Sequence, residues 1–234
     1  MNKKCICKQS QAGFSLIELM VALVLGLVLM GAVVNSFLSS SQTYRVQEAL
    51  SRSQESARFA LEIIGQELRM AGFDNPRGAV LQGFVATEAD ANLPSPASVL
   101  DTRTSEVIYI VAHGDGGDLS IYVAPDGQSG LPTLYIDNQP SVEGVADIQL
   151  EYGINNGSDL DEVDQFQTAA LVPDWEDVIA VRVNLLVSAG DAGLVDNAMT
   201  FAAGTPFNGF DTSDRRMYQV FSTTVALRNA MLNK

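Results

Sequence analysis

Cysteine is nearly missing from these 234 residues: Cys5 and Cys7 are the whole supply, and both lie ahead of the first apolar run. With no thiol after residue 7, the rest of the chain has neither a disulfide nor Cys-His chemistry. Cys5-Ile6-Cys7 lacks the second ligand pair that a zinc site needs, and no apolar run precedes either cysteine, as lipidation would require. Histidine is as scarce. His113 stands alone, in a glycine-rich turn, so a Ser-His-Asp triad would have to join it to Ser120 and to Asp115 or Asp118, and no G-x-S-x-G elbow is present. The expectation is a solvated turn histidine in a protein that is not an enzyme. Positive charge is also thin, 14 Lys and Arg against 28 Asp and Glu. Residues 14–73 hold four Arg against five Glu, a net of −1, whereas residues 74–234 hold seven Lys or Arg against 23 acids, a net of −16. So acidic a region repels nucleic acid and anionic lipid, and no direct nucleic-acid binding is expected.

Proline is missing between Phe14 and Phe73, and that stretch holds the main signal. Phe14 to Leu38 is 25 residues with Glu18 as the single charge, enough at about 1.5 Å per residue to cross a hydrocarbon core of about 30 Å. Lys3, Lys4 and Lys8 precede it and the next basic residue is Arg45, so the positive-inside bias places the N-terminus in the cytoplasm and the remainder across the membrane. A cleaved secretory signal fits poorly, because the run is long and Val34-Asn35-Ser36-Phe37-Leu38 offers no A-x-A-like site; an uncleaved signal anchor remains an alternative. Glu18 demands explanation, since a carboxylate inside a membrane helix costs about 2.5–3.5 kcal/mol on insertion scales. It either snorkels to the interface or meets a counter-charge.

Beyond the span, Val46, Leu50, Ser53, Ala57, Leu61, Ile64 and Leu68 recur at helical spacing, opposite a face of mixed charge that includes Arg45, Glu48, Arg52 and Glu55. One helix of roughly 85–90 Å is predicted, ending near Gly72, with weak points at Gly26, Gly31 and Asn35-Ser36. A small-residue surface for helix contact is the other reading of those positions.

From Asp74 onward β-rich segments dominate: Glu106 to Ala112, Leu119 to Ala124, Thr133 to Asp137, Val145 to Tyr152, Val178 to Ser188 and Met217 to Arg228. His113 to Asp118 and Pro125-Asp126-Gly127 read as hairpin turns; Gly153 to Asp164 and Ala189 to Asp214 read as long loops. The fold class is therefore α+β, an antiparallel sheet packed on the outer half of the N-terminal helix. Asp159, Asp161, Glu162 and Asp164 cluster oxygen atoms as a calcium loop would, but no EF-hand pattern fits them, and a plain acidic loop is preferred. No cofactor or metal is expected.

Gly13-Phe14-Ser15-Leu16-Ile17-Glu18-Leu19-Met20 resembles the type IV prepilin motif, the class III signal peptide. The resemblance implies cleavage between Gly13 and Phe14 by a prepilin peptidase, N-methylation of Phe14, and retention of the helix. It also implies that Glu18 pairs with the N-terminal amine of a neighbouring subunit, neutralising a charge where the medium screens least. Arg58 to Glu62, Glu67 to Phe73, Trp175 to Val187 and Tyr218 to Asn229 are similar to the minor pilin PilW family. The parts would then be a leader (1–13), a membrane and assembly half-helix (14–38), an amphipathic half-helix (39–73) and an extracytoplasmic head (74–234). The role implied is a minor pilin that joins other minor pilins and pilus subunits, with a tip adhesin as a further candidate partner, to prime or cap a pilus serving twitching motility and adhesion. A J-type pseudopilin of type II secretion and a signal-anchored binding protein are the alternatives.

Overall fold

The computed structural model describes residues 13–73, 79–84, 106–113, 117–157 and 162–232. Cys5, Cys7 and the leader lysines lie outside the described residues, as do Asp115, Asp159 and Asp161 and the side chain of His113. Two compact units divide the chain, residues 1–44 and 45–234. Helix α1 (Leu16–Met70) is 55 residues long, as the proline-free stretch requires. In the first unit every residue from Gly13 to Tyr44 is exposed, Gly26, Gly31, Asn35 and Ser36 included, and the helix continues through all four.

Within the second unit the helix buries Ala49, Ser53, Ala57, Ala60, Ile64, Gly65 and Leu68. The predicted stripe is therefore rotated: Val46, Leu50 and Leu61 are half-buried flanks, and alanines hold the centre because their small side chains let the helix approach the sheet closely. Gly65 shows how closely, as a Cβ there would stand 3.7 Å from Val225 Cγ2. The helix stops where expected. Gly72 adopts φ +71°, a left-handed conformation that glycine reaches without Cβ strain.

The remaining elements are β1 (Leu81–Phe84), β2 (Val107–His113), β3 (Gly117–Pro125), β4 (Pro132–Ile136), β5 (Gln139–Glu143), β6 (Val145–Ile154), β7 (Gln165–Gln167), β8 (Val178–Ala189), β9 (Met217–Ala226) and a short α2 (Arg228–Leu232). They form two antiparallel sheets where the sequence suggested one: a five-stranded meander β1-β2-β3-β4-β5 and a four-stranded sheet β7-β6-β8-β9. Gly144 causes the break. It takes φ +87° between β5 and β6, donating to Pro132 O at 2.9 Å and accepting from Ser188 N at 2.7 Å, so it joins one strand of each sheet.

Strands β1, β5 and β7 were not legible as strands. Gln139-Pro140-Ser141-Val142-Glu143 is polar and contains proline, and β5 forms because Asp137 and Asn138 both adopt positive φ, 47° and 64°, the conformation of a two-residue hairpin turn. The last predicted strand also ends early, at Ala226, and Arg228 opens α2. One contiguous core unites Ala57, Ala60, Ile64 and Leu68 of α1 with residues of both sheets, among them Ile108, Ile121, Ile148, Leu150, Val183 and Leu185. On the opposite face of the second sheet, the β8–β9 loop folds back and sets Phe207 against Ala146, Leu186 and Tyr218.

Candidate functional site

Gly13, Phe14 and Ser15 lead into α1, whose first turn is closed by Ser15: its carbonyl accepts from Glu18 N at 3.0 Å and from Leu19 N at 3.2 Å. Ser15-Leu16-Ile17-Glu18 has the S-x-x-E spacing of a capping box. Glu18 is thus held in the first turn, at the positive end of the helix dipole. Phe14 is 85% exposed. Together Phe14 and Glu18 stand at the head of an exposed apolar surface, and this helix contains an 18-residue window of mean hydropathy 2.6. Chemically, such a segment can do two things: enter a membrane, or pack on other apolar helices with its single charge matched by a cation.

The rival sites of the head are built differently. Ser120 is buried in β3, and Asp118 accepts a hydrogen bond from the Tyr109 hydroxyl. Burial, with that acidic partner second, holds the Tyr109 phenol up at about 12. In the acidic loop Asp164 Oδ2 accepts from Asn156 N at 2.8 Å, and the main-chain carbonyl of Glu162 accepts from Asn155 Nδ2 at 2.7 Å. Among the described residues, no group of three or more His, Cys, Asp or Glu is arranged to hold a metal.

The carboxylate with the most perturbed surroundings was not singled out from the sequence. Glu106, just before β2, is 4% exposed; its N–H donates to Ile148 O at 3.2 Å and its Oε2 accepts from Leu150 N at 2.6 Å. A single residue thereby stitches the first sheet to the edge of β6. Burial raises its pKa from 4.5 to about 7, opposed by the Leu150 N–H and reinforced by Asp147 and Glu151. Only tertiary folding brings Glu106 to β6, so no sequence spacing could have marked it.

Comparison with known proteins finds pilin-related matches. The sequence model of the family described as type IV pilus-assembly protein W matches residues 108–229, just over half of the chain. That of the prokaryotic N-terminal methylation motif matches residues 8–34. The pilin-like protein PilA3 of Thermus thermophilus is 26% identical over 174 residues, covering 65% of this chain and 71% of that protein. A solved structure of a type IV-like pilin from Thermus thermophilus aligns with a TM-score of 0.43 at 12% identity, covering 80% of this chain and 97% of that one.

Proposed function

This chain belongs to the type IV pilus-assembly protein W family, and from that premise we infer that it acts as a minor pilin made ready by a cut between Gly13 and Phe14. Prepilin peptidase removes the leader, and the new Phe14 amine is methylated. The chain waits in the inner membrane with its N-terminus on the cytoplasmic side and its acidic head in the periplasm. Glu18 then pairs with the N-terminal amine of a neighbouring subunit as the apolar helix leaves lipid for the helical bundle of a filament. In that position the protein primes or caps the pilus with other minor pilins, and pilus assembly, twitching motility and adhesion follow from it.

The observation that carries this reading is the placement of one carboxylate, Glu18, in the first turn of a helix that is exposed from Gly13 to Tyr44 and otherwise apolar from Leu16 to Val34. In a medium of low dielectric an unpaired carboxylate is costly, and an amine freed four residues upstream on the next subunit is the nearest matching charge. The test is intact mass of the chain recovered from membranes, together with pull-down of Glu18→Ala and Glu18→Gln. A mass beginning at Phe14 with one added methyl, and loss of the other pilus subunits from both variants, is the expected result. A chain that keeps residues 1–13, or Glu18 variants that assemble like the parent, would overturn it.

A further inference from the structure

Natural sheets protect their edges with short strands, charges, proline or bulges, because an open edge presents unpaired N–H and C=O groups to any passing strand. Three of the four sheet edges here follow that rule. Strand β1 has four residues and β7 three; β5 carries Pro140 and Glu143, and its register with β4 breaks between Leu134 and Tyr135. Strand β9 breaks the rule. Its ten residues, Met217 to Ala226, hold no charge and no proline, and it pairs with β8 without a register shift from Ala180↔Ala226 to Ala189↔Met217.

The direction of the edge groups follows from one bond. Leu227 N donates to Ile179 O at 2.8 Å, so in the antiparallel alternation the odd-numbered residues of β9 bond to β8. The even-numbered ones turn their N–H and C=O outward. Tyr218 fits this parity, as its N–H goes to Met199 Sδ at 3.3 Å rather than to β8. The next four outward residues, Val220, Ser222, Thr224 and Ala226, are all exposed, Val220 to 45%.

We propose that the outer edge of β9, from Val220 to Ala226, receives an extended strand of a different pilus subunit, one whose own head is neutral or basic, and so continues the second sheet into its neighbour. The occupant is a strand because the groups on offer are main-chain groups at strand spacing. It is a different subunit rather than a second copy because a second copy would bring another region of net −16 against this one, a repulsion that costs association. The inference rests on the pilus-subunit reading above and adds to it the surface used and the charge of the partner.

The test uses the full chain co-expressed with the other pilus subunits of its own organism and purified in detergent. Amide hydrogen exchange across Met217–Ala226 is measured in the co-purified complex and in the chain alone. Protection of the outward amides in the complex, with the chain alone monomeric, is the expected result. Thr224→Pro removes an N–H that the β8 ladder does not use; it should keep the parent's melting temperature and lose co-purification by roughly tenfold or more. Should that variant fail to fold, the exchange measurement on the parent decides. Co-purification without protection overturns strand addition alone, as does a Thr224→Pro chain that folds and is recovered in the complex at the parent's level. A homodimer that protects the same amides overturns the choice of partner. Recovery of no pilus subunit by the parent chain overturns the pilin reading, and this inference with it.

Discussion

Leu150 of β6 donates its backbone N–H to the carboxylate of Glu106 at 2.6 Å, and the residue that receives it belongs to the other sheet. Among the described residues no cation bonds to this carboxylate, and the charged groups bearing on it are Asp147 and Glu151, both acidic. Protonation therefore stabilises the seam between the sheets.

The pH dependence follows directly. Glu106 titrates near 7 in the fold against 4.5 when unconstrained, so its contribution is fully present below about 4.5 and is lost as pH rises through 7. The melting temperature of the full chain in detergent should fall across that window, by an amount corresponding to about 3 kcal/mol. Glu106→Gln keeps an acceptor for Leu150 and cannot ionise. It should flatten the slope and exceed the parent in stability at pH 8; equal slopes in the two proteins would remove Glu106 from the account.

Gly83 is held to glycine by Tyr152. A Cβ on Gly83 would stand 2.0 Å from the Tyr152 hydroxyl and 2.4 Å from Cζ, while Trp175 meets the same ring edge-on with centroids 4.9 Å apart. Gly83→Ala should cost about 1–3 kcal/mol by overpacking, read as a lowered midpoint in urea. A midpoint unchanged from the parent would show that β1 can slide away.

The Tyr152 hydroxyl is fully buried and has no hydrogen-bond partner among the described residues. Tyr152→Phe removes that unsatisfied group and should leave stability level or raise it by about 1 kcal/mol. A loss of more than that would reveal a bond the hydroxyl makes in solution.

The end of α1 is tied down by the C-terminal helix, for Asn229 Nδ2 donates to Ala71 O at 2.8 Å. Asn229→Ala should cost about 1 kcal/mol and speed amide exchange in the last turn of α1 before it affects the sheets.

Calcium at millimolar concentration should leave the melting temperature unchanged. Asp164 Oδ2 already accepts from Asn156 N and the Glu162 main-chain carbonyl from Asn155 Nδ2, so two of the oxygens a cation would use are engaged. A clear rise in melting temperature with calcium, abolished by Asp164→Asn, would reinstate the metal site.

The N-terminal half of this protein was settled by local order. The prepilin-like octapeptide, the single carboxylate in 25 apolar residues, and the want of proline before Phe73 act through neighbours one or two turns away, and such short-range rules can be read along a line. Six strands were legible for the same reason, since β-branched and aromatic runs mark themselves. Tertiary structure alone decided the rest. Strand β5 exists because Asp137 and Asn138 turn the chain back upon β4, the sheet divides in two because Gly144 bends between them, and alanines rather than leucines centre the helix stripe because a sheet presses there. Glu106 acquires its unusual titration, and β9 its open edge, from partners 44 residues away in one case and from missing neighbours in the other. Burial and pairing are properties of the folded chain; a residue's identity sets what it would cost to be buried or left unpaired, and the fold determines where that cost falls.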